Sequence, residues 1–151
     1  MARAQATQEN DDMADPTTAL EEALAQVGDR WSLLVVHALL EGPRRFNELL
    51  DRLPGLAPNI LTKRLRNLEQ TGVVLAVPYS RRPPRFDYRL TATGAELAGA
   101  LRLLAQWGSV AAPEAEAVLH AACGTPVEAR WFCPTCARLV DDEDVDHLHY
   151  A

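Results

Sequence analysis

The sequence predicts a mainly α-helical domain with one small β-hairpin, followed by a short Cys/His-bearing appendage. Three observations point there. Apolar residues recur with helical spacing in four successive segments up to Leu68. The period then changes to alternation between Val73 and Leu90, before another helical stretch sets in. All three cysteines fall between residues 123 and 136.

At 151 residues the chain has the size of one ordinary domain with a small extension, and 48% hydrophobic residues suffice for a real core. No apolar run approaches the roughly 18–20 residues that span a membrane. The stretch from Met1 to Asp15 is polar and acidic and lacks an apolar h-region, so a cytoplasmic protein without a signal peptide is expected. Three clustered cysteines do not suggest a secreted disulfide framework.

Residues 1–14 read as a disordered tail. Asp15 and Pro16 offer an N-cap and a first-turn proline to a helix carrying Ala19, Leu20, Ala23, Leu24 and Val27, which Gly28 closes. Asp29 caps a second helix with Trp31, Leu34, Val35, Ala38 and Leu39 on one face, stopped by Gly42-Pro43. A short third helix fits Phe46, Leu49, Leu50 and Leu53, ending at Pro54-Gly55. Pro58 opens a fourth, with Ile60, Leu61, Leu65 and Leu68 apolar, and Gly72 ends it. Val73 to Val77 reads as a strand. Phe86, Tyr88 and Leu90 alternate with Arg85, Asp87 and Arg89 as its partner, and Ser80 to Pro84 forms a tight basic loop between them. Thr93 to Glu96 has capping-box spacing and begins a long helix with Leu97, Leu101, Leu104 and Trp107. Pro113 marks the edge of the tail. The expected domains are thus 15–112 and a tail at 113–151.

Net charge is −6, but its distribution matters more. Residues 29–90 hold eleven Lys/Arg against six acids, while both flanks are acidic. A basic middle is the footprint of nucleic-acid binding, although a solvated charged face is the commoner origin of such a surface. The fourth helix sharpens the reading. On a helical wheel Leu61, Leu65 and Leu68 share one face, with Ile60 and Arg64 at its edge. The opposite face gathers Asn59, Thr62, Lys63, Arg66 and Gln70, donors of several kinds without a carboxylate, as a major groove requires. Arg81, Arg82 and Arg85 lie at or beside the hairpin tip, where Pro83-Pro84 stiffens the loop for phosphate or minor-groove contact. Helix, turn, helix and basic-tipped hairpin together make a winged helix-turn-helix.

Three stretches carry a resemblance. They are Asp29-Arg30-Trp31-Ser32-Leu33-Leu34 with Gly42-Pro43-Arg44-Arg45-Phe46-Asn47-Glu48-Leu49; Leu61 to Glu69 with Gly72-Val73-Val74; and Pro83 to Thr91 with Gly94. Over roughly residues 18–110 the chain resembles HxlR-type, MarR-like winged helix regulators. The resemblance implies a homodimer on double-stranded operator DNA, a transcriptional repressor or activator, with the first and last helices forming the dimer interface. Ala57 departs from the pattern, since Ser or Thr is the usual N-cap there.

In the tail, His120-x-x-Cys123-Gly124 is followed by Cys133-Pro134-Thr135-Cys136. Two close pairs of soft ligands suit one structural Zn²⁺ in a small zinc-ribbon-like appendage. A Cys133/Cys136 redox pair and three unligated cysteines are the alternatives. His147 and His149 lie beyond an acidic run and are expected to be exposed. A lone His37 among apolar neighbours suggests a structural role, and Trp31 and Trp107 suggest core or interface positions rather than an effector pocket. Two rival functions compete with this reading. A dithiol enzyme would need its Cys-x-x-Cys on a βαβ unit, which is absent. A protein-interaction adaptor would be favoured by acids on the exposed face of the fourth helix, and none is there.

Overall fold

The computed structural model describes residues 18–109, 112 and 118–140. The expected tail at 1–14, Asp15, Pro16, Pro113, His147 and His149 lie outside the described residues. The chain divides into two compact units, 1–94 and 95–151, a division that falls inside a helix and well before Pro113.

In the first unit, α1 (Ala19–Val27) is followed by α2 (Arg30–Leu40), the two-residue strand β1 (Arg44–Arg45), α3 (Phe46–Arg52), α4 (Pro58–Gln70) and the long hairpin β2 (Val74–Arg81) and β3 (Pro84–Leu90). This is the mainly helical winged helix-turn-helix that the sequence predicts. The helix α1 begins later than Asp15-Pro16 suggest. Thr18 is its N-cap: the Glu21 N–H donates to the Thr18 hydroxyl at 3.2 Å and the Thr18 N–H donates to the Glu21 carboxylate at 2.7 Å. Two donors satisfied reciprocally fix the start at Thr18. Asp29 caps α2 as expected, accepting from the N–H groups of Trp31 and Ser32 at 3.0 and 3.1 Å.

The core is a single seam of aliphatic side chains. Val35, Val36, Leu49, Leu61 and Leu68 are wholly buried, and Leu65, Ala38 and Leu39 nearly so. The leucines 61, 65 and 68 of α4 supply the deepest layer, with Ile60 and Arg64 at its margin, as the helical wheel places them.

The wing differs from expectation in two ways. The sheet has three strands, ordered β1-β3-β2, because Arg44 and Arg45 pair with Tyr88 and Asp87. A two-residue strand carries no periodicity, so sequence could not reveal it. The hairpin also extends further, since Ser80, Arg81, Pro84 and Arg85 are in the ladder and only residues 82 and 83 turn. The prolines permit this: β2 is an edge strand, where Pro78 needs no partner for a missing N–H, and Pro84 stands first in β3. A bulge between Pro78 and Ser80 leaves Tyr79 without an opposite residue and twists the wing.

Helix α5 (Ala92–Ser109) begins at Ala92, ahead of the expected Thr93 capping box. Its first turn is held by Thr91, whose hydroxyl accepts from the Gly94 N–H at 3.0 Å and donates to the Gly72 carbonyl at 2.6 Å. A Cβ at Gly94 would sit 2.1 Å from the Val73 carbonyl oxygen, so this corner admits only glycine.

In the second unit, the tail forms a turn closed by a Leu119–Pro126 bridge, then a hairpin of β4 (Trp131–Cys133) and β5 (Arg138–Val140).

One polar atom contradicts the seam. Ser32 is fully buried and its hydroxyl has no hydrogen-bond partner. Ser32→Ala is therefore expected to leave stability unchanged or raise it by about 1–3 kcal/mol, because the orphaned hydroxyl is removed. Leu61→Ala, in contrast, should cost about 2–5 kcal/mol. Urea midpoints decide both, and a Ser32→Ala variant clearly less stable than the parent would overturn the first.

Candidate nucleic-acid interface

The α4 seam sets what the rest of the helix presents. With Leu61, Leu65 and Leu68 turned inward, Asn59, Lys63, Arg66 and Gln70 are exposed and Thr62 is half-buried. The Thr62 hydroxyl donates back to the Pro58 carbonyl at 2.9 Å, leaving its lone pairs and methyl group outward. Two side chains on the flanks are turned to structure instead. The Asn67 amide donates to the Gln26 carbonyl at the end of α1, at 3.1 Å. Arg64 lies 2.9 Å from the Asp29 carboxylate, an ionic contact rather than a directed hydrogen bond, since its Nε has no hydrogen-bond partner. Ala57 gives α4 no side-chain cap, and Pro58 occupies its first turn.

The cations of residues 29–90 fall into two groups. Arg30 stacks on Trp31 at 4.7 Å, and Arg44 pairs with Glu41 and donates to the Ala38 carbonyl. Arg52 also pairs with Glu41, and Arg64 with Asp29. Arg45 faces Asp87 at 3.4 Å and lies 4.5 Å over the Tyr79 ring, pinning β1 to the wing. Lys63, Arg66, Arg81, Arg82, Arg85 and Arg89 have no ion pair among the described residues, and all six are exposed. Five of them belong to the set read from sequence. Arg89 was missed, although its alternation with Arg85 on β3 was the available signal.

Tyr88 lies where α4 meets the wing. Burial pushes its phenol above the ordinary value, with a further push from Glu69 and an opposing pull from Arg66. The neutral ring is thus the form the fold prefers. His37 is exposed in the last turn of α2, and Trp107 is 79% exposed, so neither belongs to the core of the chain; Trp31 is half-buried. A cleft of about 560 Å³ in the second unit is lined by Arg102, Leu103, Gln106, Val127 and Trp131, and by neither Trp31 nor Trp107.

The four tail side chains read as candidate ligands lie in two pairs. His120 Nδ1 is 3.2 Å from Cys123 Sγ. Hydrogen bonds from Thr125, and then from His120, hold the Cys123 thiol below its ordinary range. Backbone and side-chain hydrogen bonds from Cys136 lower Cys133, and the same contact raises Cys136. Among the described residues, no three ligating side chains converge on one point.

The profile of the HxlR-like helix-turn-helix family matches residues 26–116. The chain belongs to that family. It is 37% identical over 127 residues to an HTH-type transcriptional regulator of Mycobacterium tuberculosis, covering 82% of this chain and 80% of that one. Similarity extends to an HTH-type regulator of Methanothermobacter thermautotrophicus, 35% identical over 102 residues, covering 66% and 78%. Among solved structures, a candidate transcription factor of Pseudomonas aeruginosa superposes with TM-score 0.64 at 32% identity, covering 82% of this chain and 86% of that chain. The oxidised form of the redox regulator HypR gives 0.57 at 31%, covering 60% and 94%. This HxlR-like protein is a DNA-binding transcriptional regulator and not an enzyme. Among the described residues no helix is long and apolar enough to cross a membrane.

The raised Tyr88 phenol has a pH signature. A group whose folded pKa lies above its unfolded value of about 10 contributes stability below that value and loses it as pH rises through the folded one. Urea midpoints measured from pH 8 to 11 should therefore fall more steeply for the parent than for Tyr88→Phe. Parallel curves would show that the phenol is not strained by its surroundings.

Proposed function

We propose that the protein is a cytoplasmic repressor that binds an inverted-repeat operator as a homodimer, with α4 in the major groove and the β2–β3 tip on the flanking backbone. The observation that carries this reading is the division of the cations. Apart from Arg30, which stacks on Trp31, those that face solvent without a carboxylate lie on the carboxylate-poor face of α4 and on the wing. Phosphate neutralisation needs cations whose charge is not already committed to an ion pair. On this reading Asn59, Thr62, Arg66 and Gln70 address base edges, while Lys63, Arg81, Arg82 and Arg85 hold phosphate or the minor groove.

Replacing Arg66 or Asn59 by Ala should then cost roughly 1–3 kcal/mol and relax preference at one base pair per half-site. Arg81→Ala and Arg82→Ala should weaken binding to every sequence and flatten its salt dependence. Gel shifts with the promoter of the protein's own operon, at several salt concentrations, separate the two classes. Wing variants that alter sequence preference at unchanged salt slope would reverse the assignment.

The dimer is supported by apolar residues that the single chain leaves outside. In the first unit Leu20 and Leu24 on α1 are 65% and 53% exposed; in the second, Leu104 and Trp107 on α5 are 52% and 79% exposed. One α4 reads too few base pairs alone, and two-fold symmetry would place half-sites about one helical turn, or a multiple of it, apart. Light scattering should show a dimer at micromolar concentration, converted toward monomer by Leu104→Glu with operator affinity lost in parallel. A parent monomer that still binds specifically would refute the symmetric arrangement.

A further inference from the structure

The tail is built twice. Residues 118–127 and 131–140 have the same backbone plan, displaced by thirteen residues. In the first copy the Val127 N–H donates to the Val118 carbonyl at 2.9 Å, Leu119 bridges Pro126, and the His120 N–H donates to the Thr125 carbonyl at 2.8 Å. In the second, Trp131 pairs with Val140, Phe132 with Leu139 and Cys133 with Arg138. Each pair therefore has its counterpart at the same offset. Inside each loop a ligand opens the turn, a second follows three positions on, and the next residue has left-handed backbone. His120, Cys123 and Gly124 (φ 68°) are matched by Cys133, Cys136 and Ala137 (φ 52°).

Ala137 is the one non-glycine with positive φ among the described residues. The left-handed conformation is disfavoured for alanine and persists only where its surroundings demand it. The demand here is the tight turn that brings Cys136 back beside Cys133. Turns of this kind present two side chains to one point, and His120 Nδ1 and Cys123 Sγ already stand 3.2 Å apart. Tetrahedral zinc, with bonds of about 2.0 Å to nitrogen and 2.3 Å to sulfur, holds such atoms about 3.5 Å apart.

The described part of the tail has no core of its own. No described residue from 118 to 140 is buried, and Trp131, Phe132, Leu119 and Leu139 are each more than half exposed. A segment this short without a core generally depends on a metal or a cross-link.

We propose that His120, Cys123, Cys133 and Cys136 form one structural zinc site, each turn supplying two ligands, with the metal joining two halves that the bare chain holds as separate pairs. Three thiolates and one neutral imidazole suit Zn²⁺ rather than a hard cation. Binding releases the thiol protons to solvent, and no electron is transferred.

The test uses the full chain, purified under reducing conditions. Elemental analysis should find about one zinc per chain, and Co²⁺ added to the stripped protein should give intense tetrahedral d–d bands with sulfur-to-cobalt charge transfer. His120→Ala, Cys123→Ser, Cys133→Ser and Cys136→Ser should each weaken binding by at least the ten- to hundredfold that loss of even an outer-shell partner costs. Thr135→Ala, in the same turn but not a ligand, should leave it unchanged. Far-UV circular dichroism confirms that the helices survive in every variant. A reduced, metal-free protein with three freely alkylated thiols and no cobalt bands would overturn the site, as would a Cys133–Cys136 disulfide forming in place of metal uptake. Zinc retained at full stoichiometry by the His120→Ala, Cys123→Ser double variant would equally refute a four-ligand site.

Discussion

The rotation of α4 about its own axis governs nearly everything this protein can do. Leu61, Leu65 and Leu68 are 0, 2 and 0% exposed, and burying side chains of that size contributes about 1.5–3 kcal/mol each. Turning the helix by one residue would expose one of them and push a charged neighbour inward. The Asn67–Gln26 and Arg64–Asp29 contacts resist the same rotation from the flanks, but each is worth only about 1 kcal/mol in a half-exposed setting. Apolar packing thus chooses the face that meets solvent, and the polar contacts trim its angle. That face stays open to solvent, with Asn59, Lys63, Arg66 and Gln70 exposed.

The arginines show how one residue type serves two ends. Arg44 and Arg52 converge on Glu41, while Arg45 ties β1 to both other strands of the wing. These side chains organise the ground between α2 and the sheet. The arginines further out on the hairpin have no such employment, and several like charges on a narrow ribbon repel one another. Exposure to water and salt makes that repulsion tolerable in the free protein. The acidic flanks of the sequence make the net charge −6, while residues 29–90 by themselves carry an excess of cations that can steer a polyanion.

Sequence was a good guide wherever the signal was local. Asp29 before α2, Pro58 at the start of α4 and the 61/65/68 spacing each act over a single turn, and the structure places them as read. It was a poorer guide where two local signals competed or where tertiary contact decided. Asp15 reads as the first cap, but the reciprocal Glu21 contact sets the start at Thr18. Thr93 reads as the start of the last helix, but the bond from Thr91 to the Gly72 carbonyl, nineteen residues back, sets it at Thr91. The prolines at 83 and 84 read as a loop because proline is a poor strand residue. Only the observed start of β3 shows that Pro84 stands first in its strand, where the missing N–H does no harm. His37, read as structural from its apolar neighbours, is exposed, and of the two positions open to Trp107, core or interface, its exposure removes the core of the chain.

Exposed apolar surface occurs both on the helices and on the tail, in different arrangements. The α1 and α5 leucines and Trp107 recur at helical spacing on rigid helices, an arrangement that a second helix can cover by interdigitation. The tail side chains sit on one ribbon of three-residue strands and on a turn closed by a single bridge, too short to present a continuous face. More apolar contact is a remedy available to the helices and not to the tail. For the tail the remaining remedy is a strong bond at its turns, and the turns are where the sequence has put all three cysteines and the tail's described histidine.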